Sequence, residues 1–152
     1  VTDEIIVHPM VQKMADTIPD LVPGDDKTNI NSYIFDLELN DDEPGVSVRK
    51  TYAADNLGLM ALRYDADLLI ICGVIPHIKK ALYNQSDHVV VATARACGYI
   101  AQSGGAQVLL DEGFSTILMS IASDLQRRYH VRDACTRAFG WLHVMREIES
   151  KH

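Results

Sequence analysis

The chain contains three cysteines, Cys72, Cys97 and Cys135, an odd number without a CxxC pair or a Cys/His spacing that suits zinc. A disulfide framework and a metal knuckle are therefore not expected. Each cysteine stands in an apolar helical setting, where a free thiol behaves as a small hydrophobe. This predicts three buried, reduced thiols and a cytoplasmic or nuclear setting. No apolar run reaches the roughly 20 residues that a membrane-crossing helix needs, and the stretch 68–74 is interrupted and short. Neither a basic–apolar leader nor a lipidation signal is visible. The first residue is Val1 rather than Met, as expected of a processed or excised piece. Gly104-Gly105 is followed by no Gly-Lys-Ser/Thr and preceded by no strand, so it does not read as a phosphate loop. Asp111-Glu112 lacks a histidine at metal-ligand spacing. With no convergent nucleophile, base or ligand set, the sequence predicts no enzyme, no metal site and no cofactor.

What is present is enough for one domain: 152 residues, of which 47% are hydrophobic, can bury a real core. Charge is distributed unevenly. Residues 1–45 hold 11 acidic and 2 basic residues, whereas 46–152 hold 10 and 12. The acidity belongs to the N-terminal third, as a solvated flank or as a contact surface for a basic partner. This balance disfavours nucleic-acid binding, and only Arg127-Arg128 and the slightly basic remainder speak for it.

The strongest signal is internal repetition. Ala54, Gly58, Ala61, Leu68, Leu69 and Gly73 recur forty residues later as Ala94, Gly98, Ala101, Val108, Leu109 and Gly113. Ala92, Arg95, Ala96, Gly98 and Ile100 recur forty-two residues later as Ala134, Arg137, Ala138, Gly140 and Leu142. A period near forty is that of a helical solenoid, in which each unit buries its apolar face on its neighbours.

Along the chain, 4–18 carries a rough apolar helical stripe broken by Pro9, and Pro19, Pro23 and Gly24 mark a loop through about Asn29. The run 30–39 suits a helix or a strand, and repeat logic favours the helix. After the acidic turn 40–45, a long helix is expected over 47–63, a short one over 65–72 ended by Gly73, and a medium one over 74–83 with Pro76 in its first turn. The order then repeats: a long helix to Gln102 with Ser86 or Asp87 as N-cap, a break at 103–105, a short helix 106–112, and a medium one over 114–125. Phe114, Ile117, Leu118, Ile121, Ala122 and Leu125 give that last helix a clear apolar stripe. A final long helix spans 129 to about 148. Small residues recur in the long helices, with glycine at one place three times over (Gly58, Gly98, Gly140). A glycine within a helix costs roughly 1 kcal/mol relative to alanine, so its recurrence points to close packing of neighbouring helices.

Over about residues 46–148 this pattern resembles armadillo repeats, with the medium helices entered through "GVIPHIKKAL" and "GFSTILMSIA". The resemblance implies an all-α, right-handed superhelix of about three repeats in a single domain. Residues 1–45 would be a divergent acidic first repeat or cap, and 46–104 and 105–150 the better-matched repeats. It also implies a non-catalytic interaction module, an adaptor or scaffold, whose long third helices line a concave binding face. Import receptors of this family carry Trp and Asn four residues apart on that helix. The matching pairs here are Asp55 with Leu59, Arg95 with Tyr99, and Arg137 with Trp141, so no Trp–Asn pair is present. Guanidinium and aromatic groups one turn apart are characteristic interface anchors. They point to a protein or peptide partner that is acidic or apolar–acidic. The last helix should expose Phe139, Trp141, Leu142, Val144 and Met145, which leaves room for a cap, a further repeat or self-association through the end of the solenoid. The other reading is an oligomerising or regulatory segment of a larger protein or enzyme.

Overall fold

The computed structural model describes residues 24–151, with side chains from residue 29 onward, so the stripe expected over 4–18 lies outside the described residues. Among the described residues every regular element is helical. They are α1 (Gly24–Leu37), α2 (Val46–Arg63), α3 (Ala66–Ile71), α4 (Ile75–Ala81), α5 (Asp87–Ile100), α6 (Ala106–Asp111), α7 (Phe114–Ala122) and α8 (Tyr129–Ser150), with a π-helical turn, Ala101–Gly105, joining α5 to α6. The long–short–medium order expected from the repeat is the order observed. The largest boundary differences are two: α1 begins at Gly24, inside the stretch expected to be loop through Asn29, and α7 stops at Ala122 instead of 125, which leaves Leu125, expected in its apolar stripe, outside the helix and 79% exposed. Glycine and aspartate suit the opening of a helix as well as a turn, and composition alone does not separate the two.

Local chemistry sets the breaks. Asp65 caps α3 by accepting a hydrogen bond from the Leu68 amide at 3.1 Å. Gly73 and Gly113 end α3 and α6 with φ of 77° and 84°, a left-handed conformation in which a side chain would be strained. At Gly73 the reversal is closed by amide donation from Val74 to the Leu69 carbonyl. Pro76 sits in the first turn of α4, where its missing N–H costs nothing. The break expected at 103–105 appears as non-helical backbone at Ser103 and Gly104.

The helices α1, α2, α5 and α8 pack side by side in chain order, while α4 packs on α5 and α7 on α8. Pairs between α2 and α5 keep a constant offset: Ser47 with Ser86 at 2.7 Å, and Asp55 with Arg95 at 3.1 Å, lie 39 and 40 residues apart. The two helices therefore run in the same direction. They come close together at Gly58. A Cβ there would lie 2.9 Å from both the Ala96 Cα and the Tyr99 ring, so only hydrogen fits. At the next junction Gly98 faces the Trp141 ring, which a Cβ would meet at 3.4 Å. Gly140, the third of the series, has no neighbour within 4 Å of such a Cβ.

The core runs through the whole stack and includes Leu57, Leu69, Ile78, Leu82, Leu109, Phe114 and Leu118, all buried. Burying a side chain of this size contributes about 1.5–3 kcal/mol each. Of the residues expected to be exposed on α8, Leu142 is buried, Phe139 and Met145 are half-buried, and only Trp141 and Val144 are exposed. Leu142 lies on the same face of α8 as Val131, Cys135 and Ala138, the face turned to the core.

Candidate binding groove

Residues on α5 and α8 enclose an open groove of about 470 Å³. From α5 come Val91, Ala94, Arg95, Gly98 and Tyr99. From α8 come Asp133, Arg137 and Trp141 among others, and Gln102 and His130 close the ends. This face follows from helical spacing. Residues 91, 95, 98 and 102 lie one turn apart along α5, as do 130, 134, 137 and 141 along α8. The small side chains at Ala94, Gly98, Ala134 and Ala138 form the floor, and the large ones form the rims.

Four of the six residues expected to bind a partner (Arg95, Tyr99, Arg137 and Trp141) thus meet in one groove. Asp55 joins it indirectly, because the Arg95 Nη1 donates to Asp55 Oδ1 at 3.1 Å. Leu59 is half-exposed on α2 and is not among the lining residues. The guanidinium groups do not stand alone. Arg95 is held by a carboxylate from the neighbouring helix, and Arg137 by Asp133 one turn earlier on its own helix, Nε to Oδ2 at 2.9 Å. The groove therefore alternates the two signs of charge along an aromatic edge. Asp133 and Gln102 were not singled out in the sequence as site residues, and His130, the repeat equivalent of His88, reads there as structural. The four-residue step from Asp133 to Arg137 is the signal that could have found the first of them.

Other candidate groups are tied up elsewhere. Arg127 and Arg128, the basic loop, both face Asp87 at 3.6 and 3.8 Å. His77 and Lys80 grip Glu38 at 3.1 and 2.8 Å. His143 meets the Ser115 hydroxyl at 2.9 Å and stacks obliquely against Phe139. All three cysteines are free thiols and buried. Burial, and then the neighbouring Cys135, push the Cys97 thiol above the ordinary thiol range. Burial likewise pushes Cys135 up to about 11, against a smaller opposing pull from Arg127. Thiols held in this way are poor nucleophiles at neutral pH. Among the described residues no group of three or more His, Cys, Asp or Glu side chains is placed to hold a metal ion, and no helix is long and apolar enough to cross a membrane. In comparisons with known proteins, no family model, no curated protein and no solved structure matches the chain.

Proposed function

We propose that the chain is an armadillo-type interaction module, a short right-handed superhelix that binds an extended peptide segment along the α5–α8 groove. The observation that carries this reading is the convergence of Arg95, Tyr99, Arg137 and Trp141 on one open, small-floored groove. The parallel offset of about forty residues between α2 and α5, and the glycines at the α2–α5 and α5–α8 junctions, support the superhelix. Extended peptides suit such a floor, because alanine and glycine let a backbone approach while the rims hold its side chains. The aromatic rings supply buried area, and the guanidinium groups supply direction.

The partner carries a carboxylate next to an apolar residue. Each arginine uses one edge of its planar fork on Asp55 or Asp133 and has further donors for a ligand carboxylate. The paired aspartates reject a partner with an uninterrupted acidic run, so the groove selects a mixed segment over a polyanion. The site calls for no cofactor, and its role is binding rather than catalysis.

The test is selection of peptides from a displayed random library against this chain, followed by titration of the selected peptides. Selected sequences should pair an acidic residue with an apolar one. The double change Arg95→Glu with Arg137→Glu should weaken them about a hundredfold, since it places like charges against the ligand at two sites. Thermal stability should change little, because both side chains are largely exposed. Unchanged affinity after that double change would sink the groove reading. A second reading, an oligomerising segment, is favoured by the exposed apolar residues on the outer face of α8.

A further inference from the structure

The outer face of α8 shares Asp133, Arg137 and Trp141 with the groove and continues beyond it. Asp133, Arg137, Gly140, Trp141, Val144, Glu147, Ile148 and Lys151 recur at three- and four-residue steps, which places them on one side of the helix. Val131, Cys135, Ala138 and Leu142, all buried, occupy the other side. On the outer side Trp141, Val144 and Ile148 remain 42%, 54% and 45% exposed. Around Gly140 lies a shallow hollow of about 400 Å³ lined by Arg137, Gly140, Trp141 and Val144.

The equivalent glycines each receive an aromatic ring, Tyr99 at Gly58 and Trp141 at Gly98. Gly140 has the same lack of a side chain and nothing against it. The face is therefore built for the close approach of another helix that carries an aromatic residue.

Charge indicates which helix. The N-terminal half of this face carries Asp133 and Arg137, and the C-terminal half carries Glu147 and Lys151. If two copies of α8 met in parallel, each of these charges would face its own like. If they meet antiparallel, with Gly140 opposite the second copy's Trp141, the order reverses. Arg137 then lies three residues, about 4.5 Å along the axis, from the level of the second copy's Glu147, within reach of two long side chains. Asp133 stands in the same relation to the second copy's Lys151. Arg137 and Glu147 are 77% and 65% exposed, so solvent-facing atoms of both remain accessible beside their pairs with Asp133 and Arg146. We propose that this face is a self-complementary interface at which a second copy of the chain packs its α8 antiparallel, the exposed part of each Trp141 ring, beyond its contact with Gly98, lying on the other copy's Gly140.

Sedimentation of the purified chain from about 1 µM to about 1 mM, where modest homodimer interfaces assemble, tests this. The expected result is a reversible monomer–dimer equilibrium. Trp141→Ala should raise the dimer dissociation constant about tenfold or more, as loss of a central aromatic anchor does. Arg137→Glu and Glu147→Arg should each weaken the dimer, and the two changes together should restore it to within about threefold of the native value. Helical circular dichroism, recorded alongside, should be unchanged in the exposed-charge variants. A chain that stays monomeric at every concentration overturns the proposal, as does a double variant no tighter than the single ones. Arg137 and Trp141 serve both the groove and this face, whereas Arg95→Glu alters the groove alone, so loss of peptide binding with the dimer intact in that variant separates the two readings.

Discussion

At the α1–α2 junction the chain adds charge to the apolar contacts of Ile30, Ile34 and Leu37. Asp36 meets Arg49 at 2.7 Å, the exposed Asp41 meets the buried Lys50 at 2.8 Å, and Glu38 joins His77 and Lys80 on α4. At the α2–α5 junction the contact is made by leaving side chains out, with Gly58 against Ala96 and Tyr99. The first kind of junction tolerates sliding, because long charged side chains re-form their pairs after small shifts. The second fixes the helix separation to within an ångström. The acidity of the N-terminal third thus has a use that its composition did not reveal: three of its carboxylates are held by bases of the same chain.

The contrast predicts unequal costs. Phe114→Ala removes a fully buried ring at the start of α7 and should destabilise the chain by about 3–5 kcal/mol in denaturant titrations. Lys50→Ala should cost only about 1–2 kcal/mol, from its buried stem and one charged hydrogen bond. Comparable losses would show that charge holds the N-terminal junction as firmly as packing holds the C-terminal one.

The glycine series sharpens the comparison further. Gly58→Ala forces a methyl against the Ala96 backbone and should cost about 1–3 kcal/mol despite its better helix propensity. Gly140→Ala meets no neighbour in the monomer, so propensity alone operates and stability should rise by up to about 1 kcal/mol. Thermal melts of the two variants at low concentration, side by side, read the difference. A shift of the same sign in both would mean that the junction at Gly58 is looser than its geometry.

Much of this was legible in the sequence. The forty-residue period placed α2 through α8 to within about three residues at each end, because glycine breaks, Pro76 and Asp65 act locally and need no knowledge of the fold. The pairing of Arg95 with Tyr99, and of Arg137 with Trp141, followed from the same period. What was not legible depends on distant partners. Nothing in the sequence tells that Asp55 reaches Arg95 across a helix junction, so the groove was expected to be more basic than it is. Leu142 was read as exposed because an apolar run at 141–145 does not say which side faces the core. Gly140 was expected to pack like Gly58 and Gly98, but among the described residues nothing lies against it.

Acid titration gives the smallest expected effect and bears on the charged junction alone. Hydrogen bonds from Lys50 and then Asn84 hold the Asp41 carboxyl below its ordinary 3.8. At Glu38 burial acts upward, but the bonds from Lys80 and His77 outweigh it and leave the group below its ordinary 4.5. A carboxyl depressed in the folded state contributes stability that is present above its unfolded value and is lost as pH falls through the folded one. The contribution should therefore be intact at neutral pH and fade from about pH 4.5 downward, where these carboxylates protonate. It should be modest, because Asp41 is 63% exposed and solvent screens its pair with Lys50. Amide hydrogen exchange at about pH 3.5, compared with pH 6 after correction for intrinsic rates, should show loss of protection in α1 and the segment 38–45 first. The amides of α7 and α8, which pack on each other mainly through buried apolar side chains, should lose less. Glu38→Gln with Asp41→Asn should abolish that difference in acid sensitivity between the two ends. Equal loss at both ends in the native chain would mean that the whole stack opens as one unit and that the charged junction is not its weak point.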